Sequence, residues 1–205
     1  MTPAGPARLA ARPFAAADAP AVAALAGDPA VADAMISIPH PLSAAGAAAL
    51  LAAYAREAAA GRAYHAAVCR AVDGVLVGGV ALRDVDPEHR TAELSFWVGR
   101  PWWGRGYAPE AGALALAAAF GELALNRVAA YHVARNAASA AVLRKLGFRR
   151  EGLLEQRVYK AGRFEDVLAY AVLRRDYQAA WPAANGGAVW VVPPSVPAGP
   201  AAGPA

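Results

Sequence analysis

The glycines Gly104 and Gly106, separated by Arg105, form the segment best suited to chemistry with an anion. They follow a strand-like segment and precede a helix that the pattern predicts to begin at Tyr107. Glycines permit close backbone approach and positive φ, and a helix N-terminus offers unpaired N–H groups with about half a positive charge. The segment therefore indicates a cradle for phosphate or pyrophosphate, to which Arg105 adds a donor.

Three kinds of phosphate-binding loop compete for this segment. A nucleotide-triphosphate loop would use the spacing from Gly99 to Gly104, but Arg105 and Gly106 replace its lysine and hydroxyl residue. A dinucleotide loop requires a small residue where Pro109 stands and an early parallel strand. The pyrophosphate loop of acyl-CoA transferases, with glycines two apart after a strand, fits both spacing and position. An ordinary strand-to-helix turn is the open alternative.

The elements that must position this loop follow from the changes of hydrophobic period along the chain. Asp18, Asp28 and Ser43 can cap helices, and a further apolar helix is predicted over 107–125 and another over 137–146. Seven strands are predicted, over 8–14, 63–71, 75–85, 91–99, 127–133, 148–159 and 164–173. The fold class is therefore α+β, or mixed α/β, with one central sheet.

Composition sets the limits of the domain and of its partners. Residues 8–178 suit one folded domain, with a flexible N-terminus over 1–7 and a disordered tail rich in Pro, Ala and Gly over 179–205. The net charge of +4 fits an anionic ligand but does not indicate nucleic acid. A single cysteine, Cys69, gives no disulfide and no metal cluster. Without a signal peptide or an apolar run of about 20 residues, a cytoplasmic protein without membrane contact is expected.

Several segments together resemble the GNAT superfamily of N-acetyltransferases, and more narrowly its RimJ/RimL-type branch, which acetylates the amino termini of ribosomal proteins or other amines. WWGRGYAPEA is similar to the cofactor loop of the family, AELSFWV to its fourth strand, and NAASAAVLRKLGF to its Asn-x-x-Ser helix. REGLLEQRVYKAGRFEDVLAY resembles its closing hairpin and LAARPF its start. The likeness covers roughly residues 8 to 175.

This resemblance implies a seven-stranded, mixed and mostly antiparallel sheet, flanked by helices and splayed after the fourth strand. Acetyl-CoA would be the co-substrate, without a metal, and its pantetheine arm would lie in the splay. Asn136 would bind the pantetheine and Ser139 would face the thioester sulfur. The implied cofactor-binding residues are Phe96, Trp97, Val98, Gly104, Arg105, Gly106, Tyr107, Ala108, Asn136 and Ser139. The sequence departs from the family at Pro101, where a polar phosphate donor is usual, and at Val158, where some members carry a carboxylate base.

Two side chains are candidates for proton transfer. Glu93 shares a strand face with Ser95 and Trp97 and could act as a general base through water, or it could be a strand carboxylate paired with an arginine. Ser139 could donate to the leaving thiolate, or it could be a capping or first-turn serine of a helix. A backbone N–H near Val98 could stabilise the oxyanion.

Other prominent side chains have less specific interpretations. Glu110 complements the dipole of the helix, Tyr159 packs, and Asp166 holds the turn of the last hairpin. Trp102 and Trp103 either cover the cofactor or acceptor entrance or fill the core beside the helix.

The function predicted from these residues is acetyl transfer from acetyl-CoA to a primary amine, with the α-amine of a protein or peptide favoured. A small-molecule amine is the alternative acceptor, although the helical region 18–60 and the hairpin 160–163 carry few carboxylates for a polycation. A catalytically silent acyl-CoA-binding module is the rival, and the presence of Asn136 and Ser139 favours the enzyme. The protein would be a monomer or a homodimer, with no nucleic-acid partner.

Overall fold

A computed structural model describes residues 8–180 and 190 of the chain. Its strands form one seven-stranded sheet in the order β1-β2-β3-β4-β5-β7-β6, which confirms the predicted mixed α/β class. The strands are β1 Leu9–Pro13, β2 Tyr64–Arg70, β3 Leu76–Asp86, β4 Thr91–Val98, β5 Arg127–Val133, β6 Arg149–Lys160 and β7 Arg163–Leu173. The α-helices are α1 Ala19–Ala26, α2 Pro29–Ala34, α3 Ala44–Ala59, α4 Tyr107–Phe120, α5 Ala137–Lys145 and α6 Arg174–Ala180.

The centre of the sheet opens between β4 and β5. These strands are parallel and pair only where residues 91–93 face residues 127–129. Parallel neighbours require a crossover, and α4 supplies it. Beyond Glu93 the side of β4 that faces β5 has no strand partner, whereas β5 continues along β7 as far as Val133. The sheet therefore splays after its fourth strand, as predicted.

Apolar side chains bury the two faces of the sheet in separate clusters. Leu94 of β4 packs with Leu116 of α4 on one face. Trp97 packs with Val22 of α1 and Leu51 of α3 on the other. Because side chains alternate along a strand, Glu93 lies on the face of Trp97, as predicted.

Local hydrogen bonds fix the helix ends, and two of them correct the sequence predictions. Asp28 and Ser43 cap α2 and α3, accepting from the backbone N–H of Ala30 at 2.8 Å and of Gly46 at 3.0 Å. Asp18 does not cap α1, since its carboxylate pairs with Arg12 and accepts from the N–H of Ala15. Helix α4 ends at Phe120 rather than at residue 125. The chain leaves helical geometry after this residue, and the N–H of Leu125 donates to the carbonyl of Ala119.

Trp190 lies in the segment that the sequence predicts to be a disordered tail. Its side chain is 3% exposed, and its backbone forms a parallel bridge with Ala11 of β1. The same predicted tail begins inside α6, which runs to Ala180. The predicted flexible residues 1–7 and the rest of the tail lie outside the described residues. Among the described helices, none combines the length and the apolar character needed to cross a membrane.

Gly78 of β3 lets β4 approach closely at the open end of the sheet. A Cβ built at Gly78 would lie 2.2 Å from the carbonyl oxygen of Trp97 and 3.1 Å from the Cα of Val98. Because both neighbours are backbone atoms, β4 would have to move. We expect Gly78→Ala to lower the free energy of unfolding by about 1–3 kcal/mol in urea denaturation.

Gly152→Ala is the matched control, since a Cβ at Gly152 on β6 meets no atom within 4 Å. It should change the free energy of unfolding by less than about 0.5 kcal/mol. Equal effects of the two substitutions would contradict the close approach of β3 and β4.

Candidate active site

The loop before α4 leaves the N-terminus of that helix open. Gly104 and Gly106 both adopt left-handed backbone conformations, with φ of +74° and +76°. Gly106 is the N-cap residue and has no side chain to accept a hydrogen bond from the first turn. The N–H groups of Tyr107 and Ala108 are therefore placed where an anion can bind them.

A cavity of about 490 Å³ joins this helix end to β4 and α5. Nine of the ten predicted cofactor-binding residues line it, and they are Phe96, Trp97, Val98, Gly104, Gly106, Tyr107, Ala108, Asn136 and Ser139. The tenth, Arg105, is exposed and places its guanidinium 5.1 Å from the ring centre of Trp102. The residues predicted from separate motifs are thus brought together by the fold.

The backbone of β4 offers free hydrogen-bonding groups to this cavity. The N–H of Gly99 donates to the carbonyl of Val77 at 2.8 Å, and hydrogen bonding alternates along an antiparallel pair. Trp97 therefore pairs with Gly79, whereas the backbone groups of Phe96 and Val98 point into the gap beside β5. The indole N–H of Trp103 donates to the carbonyl of Val98 at 2.6 Å.

The two tryptophans that the sequence left open have different surroundings. Trp102 packs partly against the core on the α4 side, and Arg70 and Arg105 lie over its ring at 4.9 Å and 5.1 Å. Trp103 is half exposed, and both tryptophans line the cavity beside the loop.

A second cavity, of about 450 Å³, lies on the far side of the same gap. It contains Glu93 and reaches the segment after α2 and the β6 strand. Ala34, Met35, Phe96 and Ser139 line both cavities. Ser139 thus lies where the two cavities meet, between the helix end that can hold an anion and the half-buried carboxylate of Glu93.

Glu93 is a half-buried carboxylate that forms no ion pair within the described part of the chain. It makes no hydrogen bond and no ion pair with any residue that the structure describes, although Arg83 faces it in the register of β3 and β4. Burial raises its pKa above the ordinary 4.5, although Arg83 on the neighbouring strand acts in the opposite direction. A carboxylate of raised pKa is better matched to proton transfer near neutral pH.

The start of α5 is capped by Asn136 and not by Ser139. The side-chain oxygen of Asn136 accepts from the N–H of Ser139 at 3.0 Å, and its amide nitrogen lies 3.5 Å from the carbonyl of Ala34. The hydroxyl of Ser139 makes no hydrogen bond within the described part of the chain. It is therefore free to donate to a group in either cavity.

Charged contacts hold in place the roof of both cavities, which is the segment of residues 34–37 at the end of α2. The ammonium of Lys160 donates to the carbonyls of Ala32, Asp33 and Met35. Arg135 pairs with Asp33 through two nitrogens and with Glu165 at 3.0 Å. Residues 34–37, which lie within the predicted region 18–60, and residues of β6 line the second cavity, whereas the turn at 160–163 does not. Motif reasoning missed these contacts because the partners lie far apart in the chain.

Two acidic residues make contacts that the sequence did not predict. Glu110 does lie in the first turn of α4, but its carboxylate also pairs with Arg8 and accepts from the N–H groups of Arg8 and Leu9, which ties β1 to the helix. Asp166 does not hold the hairpin turn. Its carboxylate accepts from the N–H of Gln156 at 2.8 Å, where β6 shifts register against β7.

The remaining ring side chains divide into packing groups and one buried imidazole. Tyr159 is exposed and packs edge-on against Phe164 at 5.0 Å, which agrees with a packing role. His132 lines the second cavity and is 4% exposed, with Nδ1 2.9 Å from the carbonyl of Val133 and Nε2 without a partner. Burial lowers its pKa, so the ring is neutral. His132 follows Ala130 at the two-residue spacing of a strand, so both side chains lie on the same face of β5. This alternation was the sequence signal that could have located His132.

Comparison with known proteins identifies a shared domain. Residues 8–149 match a family described as an acetyltransferase (GNAT) domain. "Putative ribosomal N-acetyltransferase YdaF" of Bacillus subtilis (strain 168) is 34% identical over 106 residues, which are 52% of this chain and 58% of YdaF. The sequence match thus spans little more than half of that relative.

Solved structures share the fold over most of the chain. A crystal structure described as a probable acetyltransferase has 27% identity and a TM-score of 0.75, covering 82% of this chain and 94% of that one. Spermidine N-acetyltransferase from Vibrio cholerae, solved in complex with CoA and spermine, has 22% identity and a TM-score of 0.74, covering 83% and 98%. At that identity the second likeness concerns the fold alone.

Replacing Glu93 by Gln should stabilise the fold at neutral pH. Because the pKa of Glu93 is raised in the folded state, its ionisation favours unfolding, and this cost appears as the pH rises from the ordinary value of 4.5 through the raised one. In thermal unfolding, Glu93→Gln should therefore match the wild type near pH 4 and exceed its Tm near pH 8.

Glu88→Gln is the control, since Glu88 is an exposed carboxylate in the turn between β3 and β4. Its Tm should follow that of the wild type at both pH values. A Glu93→Gln variant that is less stable than the wild type near pH 8 would show that the carboxylate has a structural partner.

Proposed function

Because this chain belongs to the GNAT acetyltransferase family, we propose that it moves the acetyl group of acetyl-CoA to the α-amine of a protein or peptide. The observation that carries this proposal is the gap beside β4. The free N–H groups of Phe96 and Val98, the open end of α4 and the hydroxyl of Ser139 line two adjoining cavities, the second of which contains Glu93.

The chemistry of this space fits acetyl-CoA. Amide hydrogens at Gly106, Tyr107 and Ala108 are suited to the oxygens of a pyrophosphate, because an uncapped helix end favours negative charge. The alternating amides and carbonyls of a pantetheine arm match the edge of β4 that lacks a strand partner. Asn136 closes this space from α5.

Three groups of the chain then divide the work of acetyl transfer. Acetyl-CoA, when bound, supplies a thioester whose carbonyl carbon accepts the amine and whose sulfur leaves. Glu93 takes a proton from the amine, directly or through water. The N–H of Val98 can donate to the carbonyl oxygen as it becomes negative, and the hydroxyl of Ser139 can donate to the departing sulfur.

The choice of an α-amine rests on acidity. An α-amino group has a pKa near 7.7–8.0 and a lysine side chain one near 10.4, so the former is far more often neutral at pH 7. A single carboxylate in the cavity is sufficient for an acceptor that loses its proton readily. The relative YdaF is named for ribosomal N-acetylation, which agrees with a protein acceptor.

Release of free thiol from acetyl-CoA tests this function. Peptides with a free N-terminus should be acetylated faster than otherwise identical peptides whose N-terminus is blocked and whose acceptor amine is one internal lysine. Glu93→Gln should lower kcat/KM for the free N-terminus by roughly 100-fold, since general bases contribute about 10²–10⁴.

Glu88→Gln again serves as the control and should retain full activity. Equal rates on α-amines and lysine side chains would remove the basis for the α-amine. Binding of CoA without turnover of any amine would favour a silent acyl-CoA-binding module.

Gly104 and Gly74 offer a matched pair of substitutions for the cradle. Both have φ near +70°, at +74° and +71°, and a Cβ at either position meets no atom within 4 Å. An alanine at each should strain the backbone equally, by roughly 1–2 kcal/mol. Because Gly104 lines the cavity and Gly74 lies in the turn between β2 and β3, only Gly104→Ala should weaken CoA binding, by about tenfold in calorimetry. Similar affinities of the two variants would place the coenzyme elsewhere.

A further inference from the structure

The second cavity carries more positive than negative charge. Arg83 of β3 and Arg157 of β6 both line it, from the two arms of the sheet that the gap separates. Glu93 is the sole carboxylate among its lining residues, all of which are described. The nearby imidazole of His132 is neutral, because burial lowers its pKa.

Neither guanidinium forms a hydrogen bond or an ion pair within the described part of the chain, although Arg83 faces Glu93 across β3 and β4 and acts to lower its pKa. Other arginines close to the sheet are paired, such as Arg12 with Asp18, Arg127 with Glu151 and Arg135 with Asp33. Arg83 and Arg157 make no hydrogen bond, ion pair or ring contact of this kind. An adjoining cavity of about 140 Å³ contains Glu57, but its carboxylate lies 2.8 Å from Nε2 of His65.

The position of Arg157 depends on an irregularity in β6. The register of β6 against β7 shifts between Leu154 and Val158, and Gln156 adopts φ of +49°. Asp166 stabilises this bulge by accepting from the N–H of Gln156. Bulges redirect side chains at functional sites, and here the residue after the bulged Gln156 is the arginine that lines the cavity.

We propose that the acceptor carries a carboxylate close to its reactive amine, and that Arg83 and Arg157 bind it. This rests on the proposed function and names the class of its acceptor, a peptide whose N-terminal residue is followed by an acidic one. A guanidinium binds a carboxylate through two parallel hydrogen bonds, which fixes direction as well as charge. Polycations are disfavoured, because two like charges would face them in a cavity with one carboxylate.

Peptides that differ only at the second residue test the acceptor class. Peptides starting Ser-Glu, Ser-Gln and Ser-Lys should be acetylated with kcat/KM falling in that order, and each step should be about fivefold, as for a partly exposed charge pair. Raising the salt concentration should narrow these ratios, because screening weakens exposed pairs.

Variants identify the arginines responsible. Arg157→Gln and Arg83→Gln should each lower the ratio of kcat/KM for Ser-Glu to kcat/KM for Ser-Gln, and an unchanged ratio in both variants would overturn the assignment of these arginines. Arg150→Gln is the matched control, because Arg150 is exposed on the same strand as Arg157 but does not line the cavity. It should retain the full preference.

Free serine and ethanolamine distinguish the two sources of a carboxylate, since they differ only in the α-carboxylate. Faster turnover of serine than of ethanolamine, with no turnover of any peptide, would support the carboxylate-binding arginines and contradict the peptide acceptor. Peptides acetylated without regard to charge would overturn this inference and leave the proposed function intact. A preference for Ser-Lys or for spermidine, or no turnover of any amine, would overturn the inference as well.

Discussion

The parting of β4 from β5 after Glu93 is the constraint on which the site depends. A strand within a sheet normally satisfies its N–H and C=O groups on both sides, and buried groups without partners are costly. Here β4 keeps its bonds to β3 but presents the N–H groups of Phe96 and Val98 to an open space. The indole of Trp103 satisfies the carbonyl of Val98. What is left unpaired is a row of donors and acceptors suited to an extended amide-containing ligand.

The surrounding elements hold this gap open and give its two ends different chemistry. At one end the uncapped N-terminus of α4 supplies positive potential. The one charged side chain in its first turn is Glu110, and this carboxylate is paired with Arg8. At the other end burial raises the pKa of Glu93. Arg135 and Lys160 secure the roof across the gap. The proposed site for a negatively charged carrier and the proposed site for proton removal thus lie at opposite ends of the gap, with Ser139 between them.

The sequence predicted the parts of the molecule that local pattern determines. Strand alternation located all seven strands, and the spacing of Gly104 and Gly106 located the loop, because positive φ and a helix start are local requirements. Contacts between distant segments were not predictable from pattern. The pairing of Asp18 with Arg12, the bulge held by Asp166 and the burial of Trp190 depend on which strands become neighbours. Arg157 was overlooked for the same reason. It lies on an exposed strand, and its side chain lines a cavity only because β6 bulges.

Amide hydrogen exchange with and without CoA measures the central claim residue by residue. The backbone N–H groups of Phe96 and Val98 on β4, and of Tyr107 and Ala108 at the start of α4, should exchange more slowly once CoA is added. The N–H of Trp97, which bonds to β3, should not change on binding and serves as the internal reference. Slower exchange at both ends of the gap is the result that we predict. Unchanged exchange at Phe96 and Val98 under saturating CoA would contradict the account.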